Sequence, residues 1–380
     1  MTVPAATVGD HRQRLRAWLR RERLLLLFAA LALALALIDP HPLADYRRWL
    51  DLPTLAGLTA LLVVIEGVRA SGQVQMLAQR LVLRVHDLRT LALLLAAAAA
   101  LLSMLLTNDV SLFLIVPLTL ALSLHADLPR LRLVIVEALA VNAGSTLSPI
   151  GNPQNLILWQ RSGLSMPAFM LALLPAFAVL SVLLFAFAWC LFPARPLQRL
   201  EAPRLPARRP LLGALALAML ALTVLLLEQH RSGLAALLAL AVFAPGFRRV
   251  LAQVDWGLLA TFAAMFLALG HAAQLPLMQA TLGHLDWSAD ATVYFGGIAA
   301  SQLISNVPAT VLLQPYTTHT IVLASAVNVA GSGLAIGSLA NLIALRIDGS
   351  RGALGAFHRI SIPYLLLAAP LLYALLWLLH

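Results

Sequence analysis

The chain has 380 residues, of which 61% are hydrophobic and 11% charged, far from the roughly 45 to 50% apolar and about 25% charged of soluble globular domains. Its formal net charge is +10, but every basic residue is Arg and most lie between apolar runs, which orients a membrane protein and excludes a nucleic-acid-binding role. The single Cys190 excludes an intrachain disulfide and a cysteine metal site.

Residues 1–23 form a basic N-terminus with Arg12, Arg14, Arg16, Arg20, Arg21 and Arg23, which predicts a cytoplasmic start. The apolar run 24–38 follows and ends in Ile38-Asp39-Pro40 without a small-residue cleavage pattern, so it reads as an uncleaved first span. Loop 39–51 is placed outside. Span 52–68 returns to Arg69, Arg80, Arg84 and Arg89, and residues 72–86 are expected to lie along the cytoplasmic interface.

Residues 90–124 are two apolar arms around Thr107-Asn108-Asp109, too polar for a turn in lipid, which predicts a re-entrant hairpin with a protein- or water-surrounded tip. Region 131–158 is a span broken near Ser148-Pro149-Ile150-Gly151-Asn152-Pro153, where two prolines remove backbone donors. Span 166–192 ends in the linker 193–210, rich in Arg and Pro, the boundary between halves. Span 211–227 with its outer loop, together 211–232, precedes a second half over 233–380. That half holds spans 233–245 and 255–271, an outside loop 272–290 without Arg, a hairpin at 291–322 around Ser305-Asn306-Val307-Pro308, a broken helix at 320–345 and a last span 361–379 ending outside.

The second half repeats the first. Asn142, Gly151 and Asn155 recur at one constant offset as Asn328, Gly337 and Asn341, and Asp51 and Asn108 match Asp255 and Asn306. The fold expected is therefore an all-α polytopic membrane protein, an inverted-repeat transporter with two re-entrant hairpins and two broken transmembrane helices. Repeat one is 24–192, repeat two is 233–380, and the extra span at 211–232 inverts the second copy.

A Gly- and Asn-rich interruption at matching places in two repeats points to a substrate site at the membrane midplane. The residues singled out are Thr107, Asn108, Asp109, Asn142, Gly151, Asn152, Asn155, Ser305, Asn306, Asn328, Gly337, Ser338 and Asn341. Amide groups at tips and half-helix starts suit an anion, while unwound carbonyls and Asn oxygens suit Na+, with Asn108, Gly151, Asn306 and Gly337 as the Na+ candidates. The alternative for any one Asn is that it merely satisfies backbone groups exposed by the breaks.

Asp109 is the sharpest residue, a carboxylate beside a hairpin tip, read as a cation- or proton-coupling group. Glu137 reads as an interface or packing acid and Glu66 as the partner of Arg69. His230, His271 and His319 sit near span ends without a second ligand at metal spacing, so no metal site and no cofactor are expected beyond a coupling Na+ or H+. HExxH, GxSxG and GxxxxGK[ST] are all absent, which disfavours an enzyme and makes an ATPase partner a separate chain if there is one. The partners expected are a small anionic substrate and the bilayer of a bacterial inner membrane, with a homodimer left open.

The segments Leu106-Thr-Asn-Asp-Val-Ser-Leu-Phe-Leu-Ile-Val-Pro117, Ser305-Asn-Val-Pro308 and Ile336-Gly-Ser-Leu-Ala-Asn341 resemble the ion transporter superfamily, closest to its branch of arsenite-efflux permeases and sodium/proton antiporters of the ArsB/NhaD type. More narrowly, ALAVNAGSTLSPIGNPQNLILW and AVNVAGSGLAIGSLANLIALR resemble YbiR-type bacterial inner-membrane permeases. The resemblance implies a two-hairpin inverted-repeat scaffold that moves an anion or oxyanion, by Na+ or H+ coupling. Related dicarboxylate/sodium symporters carry paired Ser-Asn-Thr hairpin motifs; here those positions read Thr107-Asn108-Asp109 and Ser305-Asn306-Val307. Sodium/proton antiport and the membrane subunit of an arsenite-type pump are the alternative functions.

Overall fold

A computed structural model of the chain describes residues 22–82, 85–124, 126–197 and 209–379. Most of the N-terminal Arg cluster, Arg84, and Arg199, Arg204 and Arg208 of the linker lie outside the described residues. All regular structure in the described residues is helical. The order is α1 (Arg23–Ile38), α2 (Leu43–Trp49), α3 (Leu52–Ala70), α4 (Gln73–Val82), α5 (Leu88–Leu105), α6 (Asn108–Ser123), α7 (Arg130–Ser145), α8 (Pro153–Ser162), α9 (Met166–Leu191) and α10 (Pro210–Glu228). There follow α11 (Ser232–Gly246), α12 (Arg248–Gln253), α13 (Trp256–Ala272), α14 (Pro276–Gly283), α15 (Asp290–Ile304), α16 (Asn306–Leu313), α17 (Thr320–Val329), a 3-10 turn at Ala335–Gly337, α18 (Leu339–Asp348) and α19 (Ala353–Leu379).

Local chemistry sets many of these limits. Asp51 caps α3 through the Thr54 amide at 3.3 Å and Asp255 caps α13 through the Leu258 amide at 3.0 Å, the same spacing at both sites. Asn152 caps α8 through the Asn155 amide at 2.9 Å with Pro153 behind it, a start that needs no donor from proline. Both α8 and α18 stop at a left-handed glycine, Gly163 and Gly349, where a Cβ would be strained.

Five helices are long and apolar enough to cross a membrane, α3, α5, α9, α10 and α19, or six if α13 and α14, bent by 75° at their junction, count as one. The protein is thus a multi-pass membrane protein. At 1.5 Å per residue the 16 residues of α1 and 15 of α11 fall short of a hydrocarbon core of about 30 Å. Leu171, Val182, Leu211, Leu366 and Trp377 are exposed on the long helices, as lipid-facing positions require. By contrast α7 is buried continuously from Leu133 to Ser145 and α17 from Val322 to Val329, so these two helices are the centre of the molecule.

Several boundaries differ from the sequence reading. The first hairpin arm, α5, is a full 18 residues and can cross by itself. Segments 39–51 and 272–290, expected as outside loops, contain α2 and α14. The last helix begins at Ala353, so Arg359 sits on α19 and not in a loop before it. Within the stretch 72–86, residues Gln73–Val82 form a helix, α4.

Candidate functional site

The two breaks fall at 146–152, between α7 and α8, and at 330–338, between α17 and α18. Their asparagines meet. Asn142 on α7 donates to the Asn341 side-chain oxygen on α18 at 2.9 Å, and Asn328 on α17 donates to the Asn155 side-chain oxygen on α8 at 2.6 Å. Each first half-helix therefore binds the second half-helix of the other break. Asn152 adds a bond to the Asn328 oxygen at 3.0 Å. Arg130 at the start of α7 reaches the fully buried carboxylate of Asp348 at the end of α18 at 2.8 Å, so α7 and α18 run antiparallel.

Asn155 and Asn341, both 0% exposed, also hold their own breaks. The Asn155 amide donates to the carbonyls of Ser145, Thr146 and Ser148 at 3.1, 3.0 and 3.2 Å. The Asn341 amide donates to Gly331 at 2.8 Å. In this conformation their polar groups are engaged in pinning the unwound chain, the role set out above as the alternative reading of the Asn residues. Gly151 and Gly337 have a steric reason to be glycine: a Cβ would lie 2.6 Å from the Ser103 carbonyl oxygen and 2.5 Å from that of Ala330. Ser338 is the buried residue that precedes α18.

The loose ends are at the two tips. Thr107 precedes α6 and Ser305 precedes α16, so Asn108 and Asn306 are each the first residue of a helix. The Asn108 amide N–H donates to the Gly151 carbonyl at 3.2 Å, which ties tip to break. The side-chain oxygens of Asn108 and Ser305 are buried and have no hydrogen-bond partner, an exception in protein interiors that asks for an explanation. Ser305 holds φ 76° and ψ 155°, a region almost reserved for glycine and typical of functional strain. Thr107, Asn108, Asp109 and Asn152 line a cavity of about 30 Å³ closed by Leu58, Leu61, Leu62, Leu258 and Phe262, room for a water or a bare ion. Asp109 lies within electrostatic range of Asp255.

Of the two roles expected for Glu137, interface or packing acid, the structure shows the packing one. It is 1% exposed and lies in the packed centre, not at an interface. One carboxylate oxygen accepts from the Thr119 hydroxyl and the other has no partner, on a helix packed against α5, α6, α9 and α18. Glu66 pairs with Arg69 at 2.6 Å as expected. His319 bonds Asp290. Sequence spacing gave His271 no second ligand, but the fold brings Asp39 and His41 beside it. Sequence reasoning also missed Gln302, whose amide donates to the Ala330 and Ser332 carbonyls at 2.8 and 3.0 Å. A glutamine on an apolar helix was the signal available.

Residues 17–320 match the citrate transporter family, CitMHS. The chain belongs to this family. It is 41% identical to the inner membrane protein YbiR of Escherichia coli over 94% of this chain and 96% of that protein. It is 29% identical to an uncharacterized transporter of Methanocaldococcus jannaschii over 86% of this chain and 89% of that one. A silicon efflux transporter of Oryza sativa is 35% identical over 35% of this chain and 27% of its own. This member of the citrate transporter family is a membrane transporter, and its buried polar centre lies in the stretches that the sequence reading singled out.

Proposed function

We propose that the protein is a secondary active transporter that moves a small anion or oxyanion across the inner membrane by alternating access, coupled to an Na+ or H+ gradient. The observation that carries this is the reciprocal pairing of Asn142 with Asn341 and of Asn155 with Asn328. Two interrupted helices that exchange partners in this way are what two inverted repeats, 24–192 and 233–380, would form on a shared axis. On this reading the N-terminus is cytoplasmic, the C-terminus periplasmic, and tips 107–109 and 305–307 are the ends of re-entrant hairpins.

The two tips divide the labour. Thr107, Asn108, Asp109 and Asn152 around the small cavity suit the coupling cation, with the Gly151 region beside them. Ser305 and Asn306 at the start of α16, with Gly337 and Ser338 at the start of α18, suit the anion, because helix N-termini present free amide groups and positive dipole ends. No Arg is buried among the described residues. Recognition by dipoles and neutral amides suits a carboxylate or an oxyanion, the carboxylate in keeping with the family's name and the oxyanion with the name of the rice silicon transporter.

Sodium/proton antiport is the second reading, favoured by the Asp109 carboxylate lining the small cavity and by motif resemblance to the antiporter and arsenite-permease branch. Proteoliposomes resolve the two. Flux of citrate, smaller carboxylates, arsenite and silicate is measured under imposed Na+ or pH gradients, with Asn108→Ala and Ser305→Ala as the site variants. Anion uptake that follows the gradient and falls at least tenfold in both variants is the expected result. Wild-type flux in both variants rejects the site, and Na+/H+ exchange without any anion moved establishes the second reading.

A further inference from the structure

Away from the asparagine centre, a second cluster forms where α1 ends and α13 ends. Asp39 follows α1, His41 lies in the connection to α2, and His271 is on the last turn of α13. The Asp39 carboxylate oxygen Oδ2 is 3.3 Å from His41 Nε2 and 3.6 Å from His271 Nε2, and the three candidate ligand atoms lie within 4.8 Å of one another.

These separations have a chemical meaning. Bonds of about 2.0 to 2.2 Å in a tetrahedron put neighbouring ligand atoms about 3.3 Å apart. Two of the three pairs already stand near that spacing. His271 is 1% exposed, and neither of its ring nitrogens has a hydrogen-bond partner. Buried imidazole nitrogens are normally paired, to protein, water or metal.

Packing alone does not account for the residue. Trp49 stacks on the ring at 4.9 Å between centroids, and Tyr46 and His41 meet it edge-on, contacts that phenylalanine would make without two orphaned polar atoms. The other nitrogen of His41, Nδ1, is 3.4 Å from the Asp45 carboxylate. A carboxylate behind the distal nitrogen of a histidine selects the tautomer whose Nε2 lone pair faces a metal.

We propose that Asp39, His41 and His271 form a divalent transition-metal site, with Asp45 as the positioning residue behind His41. Two imidazoles and one carboxylate are the ligand set of Zn2+ and its neighbours, harder cations such as Mg2+ and Ca2+ preferring all-oxygen shells. Three protein ligands leave a fourth position for water. The metal clasps the α1–α2 connection onto α13, the helix whose Leu258 and Phe262 wall the tip cavity.

The test uses the full-length protein, purified in detergent and freed of metal with a chelator, with Co2+ and Zn2+ as probes. The expected result is one equivalent of Co2+ giving the visible absorption of a tetrahedral complex, abolished by Zn2+, with a melting temperature that rises with Zn2+ and not with Mg2+. His271→Phe keeps the stack on Trp49 and should lose the Co2+ band, while Asp45→Asn should weaken Zn2+ binding by about 10- to 100-fold. Should His271→Phe fail to fold, His41→Ala in the connection serves the same purpose. No tetrahedral band in the wild type, or Zn2+ stabilisation unchanged in the folded variants, overturns the proposal.

Discussion

The two breaks share a plan and differ in what holds them. Break 146–152 is pinned from within: three carbonyls converge on the Asn155 amide and the tip of α6 bonds the Gly151 carbonyl. Break 330–338 has one such inner bond, from Asn341 to Gly331, and is pinned mainly from without: Gln302 on α15 takes two of its carbonyls and accepts from the Leu334 amide at 2.7 Å, and Ser361 on α19 accepts from Gly333 at 2.8 Å. The first break has a carboxylate, Asp109, at its tip, and the second has the strained Ser305. The difference teaches that two breaks of one pattern can keep the same crossing asparagines while their supports diverge, one with a carboxylate beside it, the other with neutral groups alone.

Removing the internal pin should hurt most. Asn155→Ala leaves the Thr146 carbonyl without its donor and takes one bond each from the Ser145 and Ser148 carbonyls and the Asn328 side-chain amide, which keep others, and should lose about 3 kcal/mol, since an orphaned buried group costs about 1 to 3 kcal/mol and each further lost bond about 1; chemical unfolding in mixed micelles reads it. Asn341→Ala should cost less, about 2 kcal/mol, because Gly331 keeps the bond from Asn142 at 3.2 Å. Equal losses for the two would erase the asymmetry.

Gln302→Met tests the external pin. It should cost about 1 to 2 kcal/mol and, unlike Asn155→Ala, raise amide exchange only at 330–338. Ser305→Gly should stabilise by up to about 1 kcal/mol by relieving the positive φ while weakening anion uptake; a stabilised protein with unchanged uptake would reduce Ser305 to a turn residue. Asp109→Asn should move stability by less than about 0.5 kcal/mol, as a partly exposed group with no ion pair among the described residues, yet remove the dependence of flux on the Na+ or pH gradient.

Much of this was legible before folding. Asn142, Asn155, Asn328 and Asn341 announce themselves because amides are costly in an apolar span, and the recurrence of the pattern tells which residues correspond. Caps at Asp51, Asn152 and Asp255 and the stops at Gly163 and Gly349 are local chemistry, readable over four residues. What was hidden is partner choice. Nothing in the spacing says that Asn155 would bind three carbonyls of its own break, or that Glu137 would be walled in with Thr119.

The sequence by itself determined a helical membrane protein with two interrupted segments, because hydrophobic runs, prolines and buried amides act on the chain locally. Only the tertiary structure decided which asparagine faces which, left Asn108 and Ser305 with unpaired oxygens, and carried Asp39 and His41 to His271. Those contacts join residues far apart in the chain, and the packing of whole helices, which no local pattern encodes, sets their distances.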